Sequence, residues 1–392
     1  MKFKRKALSI LSKRIKEKEN LIQFITGPRQ VGKTTMVLQL KEYIENECKY
    51  FTSEDSVTKG PAWLDATLNN EKISADKKSN SKHVVIIDEI HKIHDWQEII
   101  KKHYDKNKRD KCNLQMILLG SSPILISKGK ESLAGRFESI YMGHWDYKEM
   151  LEAFGWDLDD YICYGSYPGS ATFINDYRRW RSYIKESIIE ATLTKDILSY
   201  ERINKPALLR QLFEITQVYS GQILSFTKML GQLHDAGNTT TLTHYAELLK
   251  TSGLMCTLNK FSNRELVKRM SVPKLQVLNN AFIDIGEGDL KKIIQTNSEL
   301  KGRIIESAVG GYLANRMLSG EIDLYYWREG NDEVDFVVKK EGRMFLIEVK
   351  SGRTRMSQKG LDNALKKYPK ASAIIIGNSN KELEKFFLGE IV

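Results

Sequence analysis

The chain has 392 residues, 41% hydrophobic and 28% charged, with a formal net charge of +11; that length suggests about two or three domains with sizeable cores. No apolar run approaches the roughly 20 residues of a membrane-spanning helix, which excludes a transmembrane segment from the reading. The four cysteines (Cys48, Cys112, Cys163, Cys256) lie far apart without Cys-x-x-Cys spacing, so a reducing, cytoplasmic setting is expected.

Residues 1–20 hold eight Lys/Arg against two Glu, and Lys101–Lys111 six against two Asp. These two segments supply ten of the eleven excess charges, so the remainder is close to neutral. Leu8, Leu11 and Ile15 fall on one helical face, which predicts a docked helix with a solvated basic side; contact with a nucleic-acid backbone is the other reading. A signal peptide is not expected, because the apolar stretch Ala7–Leu11 is short and contains Ser9.

Gly27-Pro28-Arg29-Gln30-Val31-Gly32-Lys33-Thr34 fits G-x-x-x-x-G-K-[ST] without a gap. An apolar strand pattern, Leu21–Ile25, precedes it, and a helical pattern from Thr35 to Ile44 follows. Strand, glycine loop and helix together predict a phosphate-binding loop. The glycines let backbone N–H groups surround phosphates, and the helix that follows adds its positive N-terminal end. Lys33 is expected on the β- and γ-phosphates of ATP, Thr34 on Mg²⁺, and Thr35 beside them.

His83–Glu89 is a second buried-strand pattern, ending in two acids, Asp88 and Glu89. After a phosphate-binding loop this reads as the Walker B element: Asp88 holds Mg²⁺, through water or from the second shell, and Glu89 polarises the attacking water. A third strand pattern, Leu114–Ser122, ends in two hydroxyls, Ser121 and Ser122, either of which would sense the γ-phosphate or simply mark a polar strand-to-loop transition. Arg136, in Leu133-Ala134-Gly135-Arg136, has two open roles: a finger on a neighbouring subunit's nucleotide, or a structural pairing.

This order of motifs, together with Asp88-Glu89-Ile90-His91-Lys92-Ile93-His94-Asp95-Trp96, resembles the prokaryotic AAA+-type ATPases that carry a C-terminal domain of uncharacterised function. Many members have Thr before Gly-Ser-Ser where this chain has Leu119, which leaves sensing to Ser121 or Ser122. The resemblance implies an α/β P-loop parallel-sheet domain over 1–144 and a helical lid over 145–204, with homo-oligomeric assembly open. Arg178, Arg179 and Arg181 on the lid either approach the nucleotide or form a solvated face.

Three helical patterns follow, Pro206–Tyr219, Ser225–Ala236 and Thr240–Ser252, then an alternating strand, Leu254–Phe261. Over 205–300 this looks like a winged helix-turn-helix with connector. Thr241, Thr243, His244, Glu247 and Lys250 would face a groove, and Lys260, Arg264, Lys268 and Arg269 would line the wing. The third helix has no arginine, so DNA or RNA and a protein partner both stay open.

Residues 301–392 place a helix with Glu306 before three strands, then a helix and a strand. Asp335 lies on one strand and Glu348-Val349-Lys350 closes the next. The order α-β-β-β-α-β with D…E-x-K resembles the PD-(D/E)xK restriction-endonuclease-like fold. Glu348 and Lys350, two apart, share one strand face. With Asp335 and Glu306 they would form a Mg²⁺ site acting on phosphodiesters, or an inactive scaffold. Family members often have Asp-x-Gly after the Pro-Lys-Leu strand; here Pro273-Lys274-Leu275 leads to Leu278-Asn279-Asn280-Ala281.

Overall fold

Five short apolar strands pair side by side in the first part of the chain: β1 (Ile22–Thr26), β2 (Glu47–Thr52), β3 (His83–Asp88), β4 (Leu114–Leu119) and β5 (Phe137–Tyr141). Every pairing is parallel and the spatial order is β2-β3-β4-β1-β5. In this computed structural model the described residues are 3–44, 47–54, 59–77, 82–120, 131–198, 203–231, 238–262, 271–284, 288–350, 359–377 and 379–391. They divide into two compact units, Met1–Met142 and Gly143–Val392.

In the first unit, β3 and β4 are buried at every position, the pattern of parallel strands covered on both faces. On one face Phe24, Val85, Ile87, Met116 and Leu118 pack under α3 (Pro61–Asp76) and α4 (Trp96–Arg109), through Leu64, Leu68 and Ile100. Trp96, first residue of α4, lies edge-on to Phe24 with ring centroids 5.9 Å apart, which explains a tryptophan just past the acidic strand end. α1 (Lys6–Lys16) packs on α2 (Lys33–Leu40) and β5, burying Leu8, Leu11 and Ile15 as its periodicity predicts.

The second unit begins with α5 (Tyr147–Phe154) and α6 (Leu158–Tyr164), each opened by a capping box, at Asp146/Glu149 and Asp157/Asp160. Then come α7 (Tyr177–Ser182) and wider i→i+5 helical turns over Tyr183–Glu190 and Thr192–Leu198. Within this segment Arg181 pairs with Asp284 at 3.0 Å. α8 (Pro206–Val218), α9 (Phe226–Leu230) and α10 (Thr239–Thr251) precede an antiparallel ribbon of β6 (Met255–Leu258) and β7 (Lys274–Val277). Ser225 caps α9 as the sequence suggests, by accepting from the Lys228 N–H. The wing cations Arg264, Lys268 and Arg269 lie outside the described residues.

α11 (Leu290–Thr296) and α12 (Ser298–Leu318) lead into a four-stranded sheet of order β11-β10-β9-β8. Its strands are β8 (Asp323–Glu329), β9 (Asp332–Lys340), β10 (Arg343–Val349) and β11 (Ser372–Ile376). β8–β9 and β9–β10 are antiparallel, whereas β10–β11 is parallel across α13 (Lys359–Lys367); α14 (Asn380–Phe387) follows. The helix and strand order is the α-β-β-β-α-β expected.

The middle and final segments of this unit interlock. The chain leaving β6 reaches β8, where the Phe261 N–H donates to the Tyr326 carbonyl at 2.6 Å and Tyr326 donates back to Asn259 at 3.1 Å. α12 lies so close to β7 that a Cβ on Gly310 would stand 2.0 Å from Gln276 Oε1; these mid-helix glycines are a packing requirement. The turn after β7 is a polar hub. Asn279 Oδ1 accepts the Ser166 and Ala281 N–H groups at 3.1 and 3.0 Å, and Asn280 Nδ2 donates to the carbonyls of Ile162 and Ile304 at 2.9 and 3.0 Å.

Candidate functional site

The glycine loop leaves β1 and returns into α2, and its backbone explains its composition. Gly27 has φ +144°, and a Cβ there would lie 2.0 Å from the Met142 carbonyl oxygen. Gly32, φ +93°, begins α2 with no side-chain cap, and a helix start of this kind suits an anion. Pro28 and Val31 are buried, Arg29 is half-buried and Gln30 is exposed with φ +59°. The Val31 carbonyl accepts from Arg5 Nη1 at 3.0 Å, a brace that the sequence does not signal.

Lys33 is buried and turns back over the loop. Its Nζ donates to the carbonyls of Gly27 at 3.0 Å and Pro28 at 2.7 Å. Thr34 and Thr35 are exposed at the start of α2. Thr34 Oγ1 donates to Asp88 Oδ2 at 2.7 Å, so the strand pairing brings together two residues 54 apart in sequence. The same Asp88 oxygen accepts from the Tyr50 phenol at 2.9 Å, and Oδ1 accepts the Glu89 N–H at 2.8 Å. Burial, then the Asp88 carboxylate, pushes the Tyr50 phenol well up from its ordinary value.

Glu89 adopts φ +56°, a left-handed conformation that costs a non-glycine residue about 1–3 kcal/mol unless its surroundings impose it. Ser53 imposes it: its hydroxyl donates to the carbonyls of Asp88 (3.1 Å) and Glu89 (2.5 Å), and its N–H also donates to Asp88. His91 Nε2 stands 3.4 Å from Glu89 Oε2. Tyr50 and Ser53 escape motif reading, and His91 lies within the Asp88–Trp96 motif without a role assigned to it. The first two come from β2 and its end, which carry no motif, and reach the site only because β2 pairs with β3.

Ser121 and Ser122 lie outside the described residues. Arg136 precedes β5 and its carbonyl accepts from Ile22 at the start of β1. It therefore sits at the opposite end of the strands from the glycine loop, about 17 Å of strand away. There its guanidinium forms a two-pronged pair with Asp105, Nε–Oδ1 2.8 Å and Nη2–Oδ2 3.0 Å, which holds that carboxyl below its ordinary range.

In the second unit, Glu306, Asp335, Glu348 and Lys350 also draw together, with a residue that the sequence does not single out. β9–β10 pairing runs to Phe336–Ile347, and beyond it Asp335 Oδ2 accepts the Val349 N–H at 2.8 Å. Lys350 Nζ stands 3.4 Å from Glu348 Oε1. Lys274 of β7, wholly buried, sends its Nζ to Glu306 Oε1 (2.7 Å), the Asp335 carbonyl (3.2 Å) and Asp335 Oδ1 (3.9 Å), with the Phe336 ring centroid at 4.6 Å. Burial opposes that ammonium, but Glu306 and Asp335 outweigh it and raise Lys274 above its ordinary value. Burial, followed by Glu306, raises the Asp335 carboxyl well above its usual range, and burial raises Glu348.

These two groupings can be set beside known proteins. Residues 19–151 match the family described as an AAA domain. That match covers the glycine loop, Asp88, Glu89 and Arg136, and an AAA domain in a five-stranded parallel sheet suggests ATP binding and hydrolysis. Beyond the AAA domain, residues 155–284 and 301–389 match two domains of unknown function (DUF8612 and DUF4143). The chain is similar to an uncharacterised protein of Methanocaldococcus jannaschii, 24% identical over 373 residues that span 90% of this chain and 79% of that protein. It is also similar to uncharacterised proteins of Mycobacterium bovis and Mycobacterium tuberculosis, each 27% identical over 350 residues, 88% of this chain and 73% of theirs. No helix among the described residues is long and apolar enough to cross a membrane.

Proposed function

We propose that the chain is a Mg²⁺-dependent ATP hydrolase whose AAA domain works as a nucleotide-driven switch or motor. The observation that carries this reading is the meeting of Thr34 and Asp88 at 2.7 Å beside Lys33, under a loop that only glycine can form at position 27. The donors suit the ion: a hydroxyl and a carboxylate, both hard oxygens. Thr34 and Asp88 would hold the magnesium, which when bound neutralises phosphate charge.

Lys33 exchanges its two carbonyl acceptors for phosphate oxygens. Tyr50 keeps Asp88 oriented, Ser53 holds the backbone of Glu89, and the Glu89 carboxylate orients the attacking water and accepts its proton. In a homo-oligomer, Arg136 acts on the nucleotide of a neighbouring copy, which accords with its distance from its own loop and requires release from Asp105.

Turnover measured with Mg²⁺ tests the assignment. Lys33→Ala should lower it about 100-fold or more, and Glu89→Gln should keep ATP bound while slowing hydrolysis by about 10²–10⁴. Undiminished hydrolysis in Lys33→Ala would overturn the reading.

The output belongs to the second unit, through nucleic acid or through a protein partner of the 205–300 segment. The outer face of α10 favours protein: Thr243, His244 and Glu247 are exposed, while Lys250 is tied back to Glu247 at 3.2 Å. Turnover unaffected by DNA or RNA at low salt supports the protein reading; strong, salt-sensitive stimulation supports nucleic acid.

A further inference from the structure

The D…E-x-K cluster invites a divalent cation, and the surrounding residues argue against one. Among the described residues, no group of three or more His, Cys, Asp or Glu side chains is placed to hold a metal ion. Each carboxylate has a charged or N–H partner on at least one oxygen: Glu306 the Lys274 ammonium, Asp335 the Val349 N–H and Lys274, and Glu348 the Lys350 ammonium at Oε1, while the buried Glu348 Oε2 has no hydrogen-bond partner among the described residues. Lys274 is fully buried, and its charge ends between Glu306 and Asp335.

An ion bridging those two carboxylates would need the space that Nζ fills, and would meet the lysine's charge at contact distance. Lysine can serve in this position because its ammonium is a compact charge with three donors. Two of them are accounted for by Glu306 Oε1 and the Asp335 carbonyl. The lysine comes from β7, outside the sheet that carries the motif, and β7 is held in place by α12 packed against it. A motif within 301–392 therefore has its cation delivered by a residue outside 301–392.

We infer that the Lys274 ammonium is the resident cation of the Glu306–Asp335–Glu348 cluster, standing where a divalent ion would bind, so that this domain is an ion-paired scaffold and not a metal-dependent phosphodiesterase. The inference is independent of ATP hydrolysis in the first unit.

Mn²⁺ binding to the nucleotide-free full-length chain, followed by electron paramagnetic resonance, tests it. Wild type and Asp335→Asn should bind Mn²⁺ equally. Lys274→Met should gain a site about 10–100-fold tighter than any in wild type, and Lys274→Met/Asp335→Asn should lose it. Mn²⁺ should also raise the unfolding temperature of Lys274→Met and leave that of wild type unchanged. If Lys274→Met does not fold, wild type against Glu348→Gln decides: equal Mn²⁺ binding supports the inference. Mn²⁺ binding or DNA cleavage by wild type that disappears in Asp335→Asn or Glu348→Gln overturns it, as does a folded Lys274→Met that gains no site.

Discussion

At the residue scale, the nucleotide loop is shaped by steric necessity as much as by chemistry. Gly27 combines a positive φ with a backbone oxygen where a Cβ would stand. Gly27→Ala must therefore bend the loop or push Met142 away. It should cost about 2–6 kcal/mol in urea unfolding, combining backbone strain with overpacking. Gly32, equally left-handed but with open space around its Cβ position, should cost less when substituted. Thr34 and Asp88 were legible as separate motifs because phosphate and metal chemistry restricts the residue types. Tyr50 and Ser53 were not, because a tyrosine and a serine at the edge of a sheet carry no pattern until strand pairing sets them beside Asp88 and Glu89.

At the scale of elements, the cluster on β7, β9, β10 and α12 makes a prediction about pH. Asp335 is raised by burial and by Glu306, and Glu348 by burial. A carboxylate raised in the folded state holds its proton more tightly there than in the unfolded chain. Stability should therefore decline as pH rises from the ordinary Asp value of 3.8 through the folded one, because burial and Glu306 together outweigh the attraction of the Lys274 ammonium for Asp335. Asp335→Asn should flatten that decline, and denaturant unfolding between about pH 4 and pH 8 measures the slope. Element existence was largely readable. α13 and the strands β3 and β10 follow their hydrophobic periods and end within a residue or two of expectation, and α1 buries the face that its period marks. The three glycines inside α12 (Gly302, Gly310 and Gly311) run against helix propensity, and the contact with Gln276 on β7 accounts for Gly310.

At the scale of the molecule, the chain organises as two units, with the segment 145–204 folded into the second rather than standing as a separate body. The proposed role of Arg136 between copies is tested at this scale. A finger acting between copies gives ATP turnover per chain that rises with protein concentration, and Arg136→Ala should abolish that rise while leaving ATP binding intact. Since its partner Asp105 is solvent-facing, the unfolding temperature should hardly move. Concentration-independent turnover, unchanged by Arg136→Ala, would leave the pair with Asp105 as its whole role.

The sequence by itself determined the parts whose chemistry is local. The glycine loop, the acidic strand end and the Glu348-x-Lys350 pair each lie within a few residues, where local backbone geometry restricts residue type. Tertiary structure alone decided which of these parts share a site and what fills it. Parallel pairing, across tens of residues of chain, brings Tyr50 and Ser53 to Asp88 and Glu89. The packing of α12 on β7 brings Lys274 into a carboxylate cluster 32 and 61 residues further along. From sequence Lys274 is only the middle of the Pro273-Lys274-Leu275 run; burial among carboxylates makes it the cluster's counter-ion.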